Sequence, residues 1–210
     1  PPVFLVLTVL GSILKGVATP TEAASVGAVG AILLAILKRN MSFNVLQEVS
    51  LETMRTTSMI YLILIGATIF SSVFRGFGGE DFIESFLTSL PGGILAATFV
   101  VMVFIFLLGF ILDFIEITFM VVPIVGPVLL GMGIDPIWLG VMIAINLQTS
   151  FLTPPFGFSL FYLRSVLPDT VDTSQIYRGV APFIVIQILI LLLIALQPGI
   201  ATWLPSYFQR

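Results

Sequence analysis

Leu152-Thr153-Pro154-Pro155-Phe156-Gly157 lies inside an apolar run, residues 137–163, that is long enough to cross a bilayer, and the fold turns on how those six residues are read. Neither proline has an amide hydrogen, and each ring clashes with the turn before it, so the carbonyls of residues 150–152 lose their helical donors. The helix is expected to unwind here. In hydrocarbon an orphaned backbone group costs several kcal/mol, roughly, so such breaks survive where protein, water or an ion meets them beside a cavity. A cation is one natural partner for these oxygens. The hydroxyls of Thr149, Ser150 and Thr153 are another, and if they meet every carbonyl the feature is only a kink.

The solvent for the rest of the chain is also lipid. Of 210 residues, 58% are hydrophobic and 9% charged, a balance foreign to water-soluble domains. A net charge of -3 without clustered Lys or Arg argues against nucleic acid as a ligand. The chain has no Cys and no His, which removes disulfides, thiolate nucleophiles, imidazole catalysis and Cys/His metal sites.

Upstream of the break, apolar segments at 94–111 and 117–130 are joined through Asp113 and Glu116. The second leg carries Pro123 and Pro127, which should break it. Lys38, Arg39 and Arg55 mark a cytoplasmic side, as do Arg164 and Arg178, whereas Glu80, Asp81 and Glu84 fall in an outside loop. With 58–74 crossing outward and the broken helix crossing inward, the pair contributes no net crossing. It is then a hairpin, and the short second leg favours a re-entrant one. Asp113 and Glu116 at its turn read as caps of the second leg or as intramembrane carboxylates, and a functional role is compatible with capping.

Nearer the start, Thr19-Pro20-Thr21-Glu22 is a helix N-terminus with a capping box. The crossing that follows, to Leu37, presents Ala23, Ala24, Gly27, Ala28, Gly30 and Ala31, a small-residue face suited to close helix packing. Residues 3–14 form an apolar run short for a crossing and are read as a helix cut at its start, not as a signal peptide. Residues 43–56 mix apolar and charged positions and are expected to lie flat in the interface. Residues 179–196 make the last crossing, with Trp203 and Tyr207 as interfacial anchors.

The expected fold is an all-α membrane protein: scaffold helices over 1–75 with an interfacial arm at 43–56, a transport part over 76–166 with hairpin 81–131 and broken helix 135–166, then a cytoplasmic loop and last crossing over 167–210. Two broken elements near mid-membrane suit a secondary transporter, in which half-helix ends and freed carbonyls bind substrate and coupling ion. A channel would more often carry a repeated filter or a charged ring.

Three stretches carry a family resemblance: Gly16-Val17-Ala18-Thr19-Pro20-Thr21-Glu22-Ala23-Ala24, Gly133-Ile134-Asp135-Pro136 with its helix through Asn146-Leu147, and Leu152-Thr153-Pro154-Pro155-Phe156-Gly157. In order and spacing they resemble the large membrane subunit of tripartite ATP-independent periplasmic (TRAP) transporters, the DctM-like subunits, over the second of that family's two inverted repeats. The resemblance implies an elevator-type symporter of a bacterial inner membrane, driven by Na+ and lacking any other cofactor. It would import organic acids such as C4-dicarboxylates, keto acids or sialic acids. Its implied partners are a small DctQ-like membrane subunit and a periplasmic substrate-binding protein.

Carried over by position, the sodium site falls on Gly109, Ser150, Thr153 and Phe156, though many members have Gly where Ser150 stands. Substrate candidates are Thr153, Pro154, Pro155 and Gly157, with Asp113 and Glu116 at the hairpin turn. The alternatives are an ion-coupled elevator carrier that needs no binding protein and, from another class, an intramembrane aspartyl protease. The protease would want carboxylates on separate helices, whereas Asp113 and Glu116 sit one turn apart.

Overall fold

The computed structural model describes residues 2–154, 157–167 and 172–208, and among these every regular element is helical. Four helices are long and apolar enough to cross a membrane by length and composition, so the chain is an all-α, multi-pass membrane protein. It divides into two compact units, Pro1–Met59 with Pro205–Arg210, and Ile60–Leu204.

In the first unit α1 (Pro2–Leu14) packs on α2 (Pro20–Leu37). The capping box at the start of α2 forms as its sequence requires: the Thr19 hydroxyl accepts from the Glu22 amide, and the Glu22 carboxylate accepts from the Thr19 amide at 2.8 Å. Only one strip of the small-residue face is used within the unit. Ala23 is fully buried, Gly27 lies where a Cβ would come within 3.2 Å of Val9, and Gly30 abuts Leu5, while Ala24, Ala28 and Ala31 remain exposed.

Helix α3 (Phe43–Gly76) differs from expectation, because the chain does not break between the amphipathic segment and the crossing. No proline occurs in it and no glycine before Gly66, so nothing interrupts the hydrogen-bond ladder. At 34 residues it has more residues than a ~30 Å hydrocarbon core needs, so residues 43–56 are its polar first part rather than a separate helix.

The second unit contains the short α4 (Gly79–Thr88) and is built around α8 (Pro136–Leu152), flanked by α5 (Gly93–Leu108) and α10 (Thr173–Leu196). Between α5 and α8 the chain returns through α6 (Phe114–Glu116), a π turn (Ile117–Val121) and α7 (Val122–Gly131), continuous as one apolar helix, Phe114–Gly131. The prolines therefore do not break this leg. The π turn widens the backbone just before Pro123, with the Val122 amide reaching back to the Ile117 carbonyl. That extra residue absorbs the place where Pro123 has no hydrogen to donate.

Helical spacing puts Ala97, Val101 and Ile105 of α5, Ile117, Val121, Val125 and Leu129 of the second leg, and Leu139, Met142, Ile143 and Leu147 of α8 into one core. Side chains such as Leu62, Phe99, Phe183 and Leu189 stand exposed, as lipid-facing residues should.

Among the described residues, side-chain hydrogen bonds from Asn146 and Trp138 bind α8 to its neighbours. Asn146, 2% exposed, donates its amide nitrogen to the Met102 carbonyl of α5 at 2.8 Å. The Trp138 indole donates to the Ile194 carbonyl of α10 at 2.9 Å, and the reason is covalent: four residues on stands Pro198, which has no hydrogen for that oxygen. Trp138→Phe keeps the ring but deletes the donor. It should destabilise the protein by about 1 kcal/mol, the usual worth of an interhelical hydrogen bond in membranes, seen as a lower unfolding midpoint in detergent.

Candidate functional site

Helix α8 stops at Leu152, Thr153 is extended (φ -86, ψ 124), and helix resumes at α9 (Phe158–Val166). The proline pair explains the stop. A continuing helix would have Pro154 and Pro155 donate to the Ser150 and Phe151 carbonyls, and neither can. Two local bonds re-form among the described residues. The Thr153 amide slips back to the Ser150 carbonyl at 3.1 Å, and the Thr153 hydroxyl donates to the Thr149 carbonyl at 2.8 Å. The other two hydroxyls serve oxygens upstream of the break: Thr149 donates to Ile145 and Ser150 to Leu147. Of the three hydroxyls, none donates to the carbonyls of residues 150–152.

The hairpin turn docks on this last turn of α8 through two contacts. Gly109, the C-cap of α5, lies so close to Ser150 that an added Cβ would strike the Ser150 hydroxyl and sit 2.8 Å from its Cβ. On the other side, the Phe114 and Phe151 rings meet edge to face with centroids 6.2 Å apart. Ser150 is fully buried. Of the sequence-predicted ion-binding residues, Gly109, Ser150 and Thr153 belong to this junction of turn and helix end, and Phe156 lies outside the described residues, as does Pro155.

Both hydroxyl protons at the helix end are committed, Ser150 to Leu147 and Thr153 to Thr149. Each oxygen then offers only lone pairs to anything that approaches. The Gly109 carbonyl receives no backbone amide from the turn, because the Asp113 amide that would reach it in a helix points to the Glu116 carboxylate at 3.3 Å. The junction is rich in oxygen acceptors and holds no charged group of its own, which fits a hard monovalent cation far better than a transition metal. Among the described residues no cluster of three His, Cys, Asp or Glu exists.

Asp113 and Glu116 take the capping role. Asp113 caps α6, accepting from the Phe114 amide at 2.7 Å, and Glu116 closes the box on the Asp113 amide. One oxygen of each faces the backbone of their own turn. Gly157 packs its Cα against backbone: a Cβ there would collide with the Phe151 carbonyl oxygen and lie 3.1 Å from that of Thr153. Pro154 follows the break directly. Sequence reasoning named Asn146 only within the family resemblance and gave neither it nor Trp138 a role, although a polar or indole donor in an otherwise apolar helix is the usual mark of interhelical bonding in membranes.

Comparison with known proteins is consistent along the chain. A family model described as "Tripartite ATP-independent periplasmic transporter, DctM component" matches residues 1–200. The sialic acid TRAP transporter large permease protein SiaM of Vibrio cholerae is 28% identical over 95% of this chain and 47% of its own length. The C4-dicarboxylate TRAP transporter large permease protein DctM of Pseudomonas aeruginosa is 30% identical over 97% of the chain and 47% of its own length. The 2,3-diketo-L-gulonate TRAP transporter large permease protein YiaN of Escherichia coli is 28% identical over 94% and 46%. The chain spans about half the length of these relatives, which are transporter permeases and not proteases.

Proposed function

The chain belongs to the DctM component family of tripartite ATP-independent periplasmic transporters, and from that footing we propose that it is the ion-binding half of a sodium-coupled symporter that imports an organic acid across a bacterial inner membrane. The three relatives are named for sialic acid, C4-dicarboxylates and 2,3-diketo-L-gulonate, all organic acids. In this reading a periplasmic binding protein delivers the acid, and a small membrane subunit completes the permease.

One observation carries the reading: at the proline break, a helix end whose hydroxyl protons are already spent meets a hairpin turn whose glycine carbonyl has no helical donor. Gly109, Ser150 and Thr153, with Phe156, hold the sodium through carbonyl and hydroxyl oxygens. Its charge draws the substrate carboxylate to the neighbouring start of α9, beside Pro154, Pro155 and Gly157, where the half-helix N-terminus favours an anion. The Thr153 hydroxyl, its proton committed to Thr149, serves the cation better than the anion. Asp113 and Glu116 shape the turn rather than touch substrate. Docking of the turn on the broken helix end supports a re-entrant path for the hairpin, since both then share one depth in the membrane.

The test is Thr153→Ala in the complete permease, reconstituted in vesicles with its small subunit and binding protein. Loss of one ligand should raise the sodium concentration for half-maximal uptake by roughly tenfold, equivalent to about 1.4 kcal/mol of binding. Unchanged sodium dependence would remove Thr153 from the site, and uptake indifferent to a sodium gradient in the unaltered protein would overturn the reading.

A further inference from the structure

Beside the break, between α8 and the second hairpin leg, runs a groove of about 600 Å³ whose lining includes Phe114, Thr118, Gln148, Phe151, Leu152 and Ser159. Its walls are mainly apolar, yet three uncharged polar side chains enter it from three different elements: Thr118 from the π turn, Gln148 from α8 and Ser159 from the first turn of α9. All three are exposed, and none forms a side-chain hydrogen bond with another described residue.

Many helical threonines of this chain do otherwise. Thr68, Thr88, Thr98, Thr149 and Thr153 each return their hydroxyl proton to a carbonyl four residues back on their own helix. Thr118 does not. It stands in the widened π turn. π turns of this kind often mark functional positions in helices. Gln148 sits within an apolar helix, and a primary amide left against acyl chains without a partner costs several kcal/mol, roughly. The groove therefore calls for a polar occupant, and an occupant with an apolar skeleton as well.

We propose that this groove reads the hydroxyl or keto oxygens on the body of the transported acid, while its carboxylate lies beside the break. The inference rests on the sodium-coupled uptake proposed above. Phe151 and Leu152 belong to both the groove and the last turn of α8, so one small molecule spans from the break into the groove. The Gln148 amide supplies two donors and an acceptor, and the Thr118 and Ser159 hydroxyls each supply either. The edge-to-face pair Phe114 and Phe151 gives the carbon skeleton an apolar wall. Recognition by such groups rejects an analogue lacking the oxygen, because the site's polar groups are then left unpaired.

The experiment uses the complete permease in vesicles with one unchanged binding protein, so that any change in selectivity arises in the membrane. Uptake driven by a sodium gradient is measured for three probe pairs that differ by one hydroxyl: malate and succinate, gluconate and 2-deoxygluconate, and N-acetylneuraminate and its 9-deoxy analogue. For the transported pair, Gln148→Leu and Thr118→Val should each cut the preference for the hydroxylated member by roughly tenfold or more. Thr118→Ser, which restores the hydroxyl, should restore the preference. An unchanged ratio in both variants would overturn the proposal, whether total uptake is kept or falls equally for both members. Sodium-driven uptake by the unaltered protein separates the two claims: if it is present and the ratios do not move, only the groove assignment fails. If no pair is taken up at all, the uptake reading fails and this inference with it.

Discussion

Gly109→Ala is expected to lower sodium-driven uptake by about tenfold to a hundredfold, with the complete permease still inserted in the membrane. The added methyl would meet the hydroxyl and Cβ of Ser150, a side chain with no exposed surface into which to move. Overpacking of this kind costs typically about 1–3 kcal/mol, and here the strain falls on the docking of the hairpin turn against the helix end. The obstacle is a side chain, so a second change can remove it. Ser150→Gly deletes both colliding atoms, and Gly109→Ala with Ser150→Gly should recover most of the lost rate, a coupling that a double-mutant cycle measures directly. Ser150→Gly alone has its own use: sodium affinity that survives it assigns the ligand to the Ser150 carbonyl, and affinity that drops assigns the hydroxyl. Wild-type uptake by Gly109→Ala, or no gain from the second substitution, would refute the close docking.

Gly157→Ala should be at least as damaging and should resist rescue. Its backbone, at φ -52 and ψ 113, is open to any residue, so conformational strain is not the issue. Space is. A Cβ would run into the carbonyl oxygen of Phe151 and crowd that of Thr153, both main-chain atoms at the break itself. No truncation of a neighbouring side chain makes room, so the start of α9 must shift away from the end of α8. Uptake should fall by on the order of a hundredfold, and Ser150→Gly should not restore it. Equal uptake by Gly157→Ala and the unaltered permease would show that the two half-helices are looser than this packing implies.

The contrast between the two glycines shows what was legible beforehand. Both stood in the stretches that carried the family resemblance or the site transferred from it, yet nothing in the string distinguished a glycine facing a serine from one facing backbone. Similarly, Asp113 and Glu116 read equally well as caps or as functional carboxylates. Their hydrogen bonds to the turn's own amides show the capping, a role compatible with the other.

Other differences have local causes that pattern reading weighs poorly. Pro123 and Pro127 promised a broken leg, but one inserted residue in a π turn kept the helix continuous. The amphipathic composition of residues 43–56 promised a separate interfacial helix, but without proline or early glycine the hydrogen-bond ladder continues into the crossing. Local composition reports preference for an environment, and hydrogen-bond continuity is decided by which residues withhold a donor or a Cβ.

Along the chain, the proline pair, the threonine cap at Thr19 and the apolar runs sufficed to set an all-helical membrane protein with one broken helix, because covalent chemistry alone forbids Pro154 and Pro155 to donate. Tertiary structure decided the rest: that the break is met by Gly109 from 41 residues upstream, that Asn146 and Trp138 tie α8 to α5 and α10, and that Thr118 and Gln148 share a groove. Those pairings join residues far apart in sequence, whose contact depends on how close two helix backbones can approach, and no local pattern encodes that distance.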